Sequence, residues 1–247
     1  MDTATPAVAV ALHDGTPGSP ALAESHQVDA RRHGELLLPA VERVLAGAGR
    51  ELKDLTGVVV GVGPGPYTGL RVGLVTAEVL GMTLDVPVYG ICTLDGIAYA
   101  AGRDGLGGAD GPDAPGGADG AGGIDGPFTV ATDARRKEVY WARYADARTR
   151  LTEPAVDRPA DLAGQVAGLP AAGAGAALYP DVFPDVRPPA HQRAAALAAL
   201  AAERLAAGGA GLLPPRPLYL RRPDAQVPAG YKAVTPKAAG PKAVSPR

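Results

Sequence analysis

Apolar residues come in short blocks along this 247-residue chain, and the period of each block predicts an element. Ala7-Val8-Ala9-Val10-Ala11-Leu12, closed by the turn residues His13-Asp14-Gly15-Thr16-Pro17-Gly18, reads as a short buried strand. A second strand is expected from Ala21 to Val28, then a helix from about Arg32 to Ala48, with Asp29 as its candidate N-cap and Gly49 as its stop. Val58-Val59-Val60-Gly61-Val62 is a continuous β-branched run, the pattern of a central strand covered on both faces. It feeds a Gly/Pro turn and a long helix from Gly69 to Leu84. Pro87 to Cys92 reads as another buried strand and Asp95 to Ala101 as another helix. After Pro127 come strands at Phe128–Ala131 and Glu138–Tyr144, a helix after Pro159 and a small-residue run from Ala171 to Leu178. An Ala-rich helix from about His191 to Ala207 and a last strand from Pro217 to Arg221 complete the pattern. Strands and helices mixed in this order mean α/β architecture.

Composition divides the chain further. It is 46% hydrophobic and 20% charged, enough for a sizeable core, but 34 Gly and 25 Pro are concentrated in a few tracts. Residues 102–126 are almost all Gly, Ala, Asp and Pro and cannot bury enough surface to offset their ordering entropy. They read as an acidic, disordered insertion between a first lobe, 1–101, and a second, 127–222. Residues 223–247, with Lys232, Lys237, Lys242 and Arg247, read as a basic, solvated tail. The net charge of −2 gives no global attraction to nucleic acid or to an anionic membrane, so any such contact must be local. The single cysteine, Cys92, excludes an internal disulfide framework and reads as a small buried hydrophobe. No apolar stretch reaches the roughly 18 residues needed to span a bilayer. Nor does the N-terminus show a basic segment followed by an apolar one, so a cytoplasmic location is the expectation.

Two helices carry more apolar surface than one sheet contact needs. In 32–48, Leu37, Val41, Val44 and Ala48 form one stripe, while Leu38 and Leu45 lie to one side of it and Leu36 and Ala40 to the other. A loop could cover the excess within a monomer; a helix–helix protein interface is the favoured reading. In 69–84, Gly73, Ala77 and Gly81 fall at i, i+4 and i+8, a face of small residues suited to close helix approach. Leu70, Leu74, Val75, Val79, Leu80 and Leu84 supply bulk around the remainder, and a helix apolar nearly all round is expected to be buried nearly all round. The turn Gly63-Pro64-Gly65-Pro66-Tyr67-Thr68-Gly69 joins strand to helix, a geometry that can present N–H groups to an anion. It is neither a Walker loop nor a G-x-G-x-x-G fingerprint, and a tight structural turn is favoured over phosphate binding. Metal binding is not expected: Leu37 occupies the i+4 position from His33 where a second ligand would stand, and His13, His26 and His191 show no ligand spacing. No Gly-x-Ser-x-Gly elbow is present, which leaves a peptidase reading without a nucleophile.

Three segments together resemble one family: Asp2-Thr3-Ala4-Thr5-Pro6, the run from Gly63 through Thr68, Gly69, Leu70 and Arg71 to Gly73, and Asp133-Ala134-Arg135-Arg136-Lys137-Glu138-Val139-Tyr140-Trp141-Ala142. With His33-Gly34-Glu35-Leu36-Leu37-Leu38-Pro39 and Pro217-Leu218-Tyr219-Leu220-Arg221, the chain is similar to the TsaB (YeaZ) family over about 2–101 and 127–225. These are dimerization subunits of the bacterial complex that forms threonylcarbamoyladenosine in tRNA. The resemblance implies a fold like actin, Hsp70 and sugar kinases, two ribonuclease-H-like lobes with a Gcp-like domain. It implies a heterodimer with the catalytic paralogue TsaD, which transfers threonylcarbamoyl to the adenosine beside the anticodon. TsaE is the complex's ATPase, tRNA is reached through the complex, and a homodimer is plausible without the partner. On that picture His33, Glu35, Leu36, Leu38, Leu45, Gly73, Ala77 and Gly81 line the partner interface. Gly63, Gly65, Thr68, Gly69 and Arg71 form the family-signature loop. Active members of this superfamily place an Asp followed by Gly at the phosphates in each lobe. Here Asp2 and Asp133 are followed by bulkier residues, notably Ala4 and Arg135, so the resemblance implies a pseudo-enzyme scaffold with no cofactor of its own. Arg136, Lys137, Arg221 and Arg222 are the positions for a tRNA contact. A nucleotide-hydrolysing or kinase-type member of the same fold is the alternative.

One departure bears on the fold. The family usually has an apolar strand ahead of the Asp-Thr-Ala-Thr segment, whereas this sequence reads Met1-Asp2. Four or five buried apolar residues at roughly 1.5–3 kcal/mol each rival the stability of a whole domain, so a truncation or misassigned start is expected.

Overall fold

A computed structural model describes residues 1–103 and 123–221. Most of the proposed insertion and all of the proposed basic tail lie outside the described residues. The first lobe begins with β1 (Ala7–Leu12), which pairs antiparallel with β2 (Ala23–Val28). Helix α1 (His33–Gly47) follows, and Gly49, at φ +63°, ends it in the left-handed conformation that glycine adopts without strain. β3 (Val58–Gly61) leads into α2 (Tyr67–Leu84), and β4 (Val88–Ile91) returns parallel to β3 before α3 (Thr93–Ala101).

Met1 and Asp2 join the two strand pairs. Asp2 and Ala9 exchange both backbone hydrogen bonds, at 2.8 and 3.0 Å. On the other side the Met1 amine donates to the Val59 carbonyl at 2.8 Å, and the Gly61 N–H donates to the Met1 carbonyl at 3.0 Å. The strand line is therefore β2-β1-(Met1–Asp2)-β3-β4, antiparallel on the β1 side and parallel on the β3 side.

The second lobe repeats that line. β5 (Phe128–Asp133) is central, with β6 (Val139–Tyr144) and β7 (Ala155–Asp157) antiparallel on one side. After α4 (Pro159–Val166) come β8 (Ala171–Ala172), the single turn α5 (Ala174–Ala177) and β9 (Val186–Arg187), both strands parallel on the other side of β5. The sheet order is β7-β6-β5-β8-β9.

The lobes exchange helices. α3 packs Leu94, Ile97 and Ala98 on Phe128, Val130 and Tyr144 of the second sheet. The last helix, α6 (Ala194–Ala206), packs back on β1 and β3 of the first lobe, with Leu197 and Leu200 against Ile91 and Tyr99. A boundary drawn at residue 127 therefore separates the sheets but not the cores. Asp95 pins the junction: it accepts hydrogen bonds from Tyr144 (2.9 Å), Arg150 (2.8 Å) and Arg204 (3.0 Å). Cys92 lies buried in the same core, and burial pushes its thiol up to about 12.

Two local expectations differ from the structure, and a run given no element resolves into two. Asp29 is not the N-cap of α1, which is Arg32; instead its Oδ1 accepts the N–H groups of Arg31 and Arg32 in a turn just ahead of the helix. Pro217–Arg221 forms no strand, because its one ladder-like bond, from the Leu218 N–H to the Val62 carbonyl at 2.8 Å, lacks a continuing register. The small-residue run Ala171–Leu178 divides into β8 and α5, turned at Gly173, whose φ is +99°.

Candidate functional site

Each lobe ends its central strand in the same turn. The Oδ1 of Asp2 accepts the Ala4 N–H at 2.7 Å, and the Oδ1 of Asp133 accepts the Arg135 N–H at 2.7 Å. An aspartate receiving the N–H two residues on closes a local turn and leaves less of the carboxylate for a ligand. Asp2 is fully buried and also accepts the Thr93 hydroxyl at 2.8 Å. Burial holds its carboxyl above the ordinary range, against the pull of the Ala4 and Thr93 hydrogen bonds. Asp133 also pairs with the Arg135 guanidinium at 3.1 Å. Arg135, Arg136 and Lys137 all have positive φ, at 62°, 56° and 62°. For residues with a Cβ this costs roughly 1–2 kcal/mol each, and it forms an exposed basic tip between β5 and β6.

The cleft between the two turns is narrow. It encloses about 160 Å³, lined by Ala4, Thr5, Pro6, Thr132, Asp133, Ala174, Leu178 and His191. Ligand pockets usually run to about 300–1,000 Å³. Gln192 ties down the Asp2–Ala7 segment beside it: buried completely, it donates to the Ala7 carbonyl at 2.9 Å and the Asp2 carbonyl at 3.3 Å and accepts the Thr5 hydroxyl. No motif announces Gln192, and sequence reasoning missed it. Thr5 belongs to the Asp2–Pro6 segment that carries the family resemblance, which implies no role for it.

The signature loop is filled by the chain's own backbone. A Cβ on Gly65 would collide with the Ala4 carbonyl, and one on Gly69 would stand 2.9 Å from the Thr3 carbonyl oxygen. The Thr3 hydroxyl donates to the Gly69 carbonyl at 2.8 Å and accepts the Gly73 N–H at 2.9 Å, bridging one turn of α2. The glycines of this loop let the Asp2–Thr5 segment approach, which is the tight structural turn rather than an anion cradle. Thr68 is exposed at the start of α2. Arg71, also exposed, lies with its guanidinium 4.3 Å from the Tyr67 ring centre and donates to the Tyr219 hydroxyl at 3.2 Å. Tyr67 and Tyr219 stack at 5.4 Å, which anchors the C-terminal segment to α2.

The helix faces are divided differently from the expectation. His33 is buried against the Thr5 carbonyl at 2.8 Å, and Leu45 is buried in the core under β1. Gly73 faces Thr3, Ala77 packs on Val58 and Val60, and a Cβ on Gly81 would collide with Val88. The small face of α2 thus turns inward onto its own sheet. Of the expected interface residues, Glu35 and Leu38 are exposed and Leu36 is half-buried. The exposed apolar stripe on α2 is instead Val75 (55%), Val79 (54%) and Met82 (84%), and Leu38 (54%) is exposed on α1. Sequence reasoning had counted Val75 and Val79 as buried bulk.

Among the basic candidates, Arg136 and Lys137 sit at the strained tip, Arg221 pairs with Glu138, and Arg222 lies outside the described residues. Among the described residues no group of three or more His, Cys, Asp or Glu is placed to hold a metal, and no helix is long and apolar enough to cross a membrane.

Comparison with known proteins identifies the lineage. A family model described as "TsaD: tRNA N6-adenosine threonylcarbamoyltransferase" matches residues 25–188. An uncharacterized protein of Mycobacterium tuberculosis is 42% identical over 233 residues, 92% of each chain. The tRNA threonylcarbamoyladenosine biosynthesis protein TsaB of Escherichia coli is 34% identical over 145 residues, 58% of this chain and 53% of that one. The solved structure of YeaZ from Pseudomonas aeruginosa superposes with a TM-score of 0.69 at 27% identity, covering 89% of this chain and 97% of that one. The chain belongs to the TsaD-type family, on its TsaB/YeaZ side.

Proposed function

We propose that this chain is a non-catalytic subunit in the formation of threonylcarbamoyladenosine in tRNA, docking through α1 and α2 on a TsaD-type catalytic partner and activating it. The relatives named TsaB support the pathway. The observation that carries the docking role is the exposed stripe of Val75, Val79 and Met82 on α2, with Leu38 exposed on α1, the helix that contacts it. Apolar side chains gathered in this way mark a protein contact.

The cleft supports the non-catalytic reading. Asp2 is turned into the core, Asp133 is engaged by its own turn, and the space between them is small for a nucleotide. In this reading ATP and metal belong to partner subunits, TsaE among them. The tRNA is met through the complex, with Arg136 and Lys137 at the basic tip as the local contact. Without a partner the same stripe favours a homodimer, since an apolar face can pair with its own copy.

A drop-out reconstitution tests the reading. TsaD, TsaE, threonylcarbamoyl-adenylate synthase, tRNA, threonine, bicarbonate and ATP are combined, and the modified nucleoside is quantified with and without this chain. Modification that depends on the chain is expected. Equal modification without it would overturn the proposal.

A further inference from the structure

Where the C-terminal segment meets α2, an arginine stands oriented at the surface. The rings of Tyr67 and Tyr219 stack with their centres 5.4 Å apart, yet the two residues remain 56% and 44% exposed. The Arg71 guanidinium lies 4.3 Å from the Tyr67 ring centre, and its Nε donates to the Tyr219 hydroxyl at 3.2 Å. Among the described residues no carboxylate pairs with Arg71, whereas Arg150 and Arg204, which tie the lobes, both meet Asp95. Holding a long side chain in one geometry costs rotamer entropy, and here no internal ion pair offsets it. The neighbours of Tyr219 fix it in turn. The Leu218 N–H donates to the Val62 carbonyl at 2.8 Å, the Leu218 side chain packs on both the α2–β3 core and the α3–β5 core, and Arg221 pairs with Glu138.

Tyr67 and Arg71 begin the face of α2 that continues through Val75, Val79 and Met82, each step three or four residues long. The exposed apolar stripe thus runs into an aromatic and cationic end, built jointly by α2 and the C-terminal segment. Tyrosine and arginine are the residue types that most often carry the energy of a protein interface. We infer that Tyr67, Arg71 and Tyr219 are the polar anchor of the docking face, with Arg71 held to receive a carboxylate of the partner that covers Val75, Val79 and Met82. The inference rests on the docking role proposed above and adds the chemistry that the partner must present. With Nε held by Tyr219, the two Nη groups offer the end-on pair of donors that matches a carboxylate. A nucleic-acid backbone fits this face less well, because Glu78 is exposed on it between Val75 and Met82. The anchor also gives Pro217–Arg221, which forms no strand, a reason to lie against α2.

The test measures binding of the TsaD-type partner at about 50 and about 300 mM salt for the parent, Arg71→Gln, Tyr219→Phe and Val79→Glu, with tRNA binding alongside. Arg71→Gln keeps the stem and removes the charge. Its affinity should fall about 10-fold or more at the lower salt and lose most of the parent's salt dependence. Tyr219→Phe removes only the hydroxyl that holds Nε and should weaken binding about threefold. Both changes lie at the surface, so Tm should stay within about 3 °C of the parent. Parental affinity in Arg71→Gln and Tyr219→Phe, with weakened binding in Val79→Glu, overturns the anchor and leaves the docking role standing. Parental affinity in all three variants overturns both. An Arg71→Gln affinity that falls equally at the two salt concentrations overturns the carboxylate contact. Loss of tRNA binding in Arg71→Gln with partner affinity kept overturns the inference as well, and makes the patch an RNA contact.

Discussion

The side chains that set the character of this molecule are small or hidden. Gly65 is required because the Ala4 carbonyl occupies the place of its Cβ. Gly65→Ala should therefore cost about 2 kcal/mol or more, measured by urea unfolding, and a loss below about 0.5 kcal/mol would contradict the packing described. Thr3 serves α2 in the same region, with one hydroxyl bridging the Gly69 carbonyl and the Gly73 N–H. Asp133 is different in kind. Its carboxylate is satisfied within its own exposed turn, so Asp133→Ala should leave nucleoside modification within about twofold of the parent and cost no more than about 1 kcal/mol. A collapse of modification in that variant would return a catalytic role to this cleft.

At the scale of elements, the sequence was legible where period alone decides and illegible where direction decides. The strands at 7–12, 58–61 and 139–144 and the helices at 33–47 and 67–84 follow from alternation and 3.6-residue spacing. That α2 is apolar nearly all round was visible too. Which face turns inward was not, because it depends on Thr3 and Val88 arriving from elsewhere in the chain to meet Gly73 and Gly81. The bulky face at Val75, Val79 and Met82 is left outside. The family-signature loop was readable as a motif, while the reason for its glycines lay in a segment some sixty residues away. Gln192 and Asp95 could not be read at all, since single polar residues joining distant elements carry no local signal.

The Glu203 cluster makes an element-scale prediction. Arg148 donates to it twice, at 2.7 and 2.9 Å, Tyr99 donates at 2.7 Å, and Arg103 lies 3.1 Å away. The Arg148 hydrogen bonds hold its carboxyl below its ordinary value of 4.5. The resulting stability is fully present above that ordinary value and is lost as pH falls through the lowered one. Unfolding free energies of parent and Glu203→Gln should differ by about 1 kcal/mol at pH 7, and the gap should close on acidification below 4.5. A gap that stays constant from pH 7 to about pH 3 would contradict the pairing.

The whole molecule is two copies of one strand plan, with α3 lent to the second sheet and α6 to the first. The exchange welds the lobes, and Gln192 and Asp95 add polar ties at the junction. Such a body suits a rigid support better than a hinge that opens on a nucleotide, and calorimetric titration with ATP and magnesium should give no saturable binding at millimolar ligand. The central claim is that α1 and α2 carry the contact with a catalytic partner. The most direct test measures affinity for the TsaD-type partner, and modification in the reconstituted system, for the parent and for Val79→Glu and Leu38→Glu. Both positions are exposed, so Tm should hold within a few degrees, about 3 °C, while affinity falls about 30-fold or more and modification falls with it. Undiminished affinity in both variants would contradict the account.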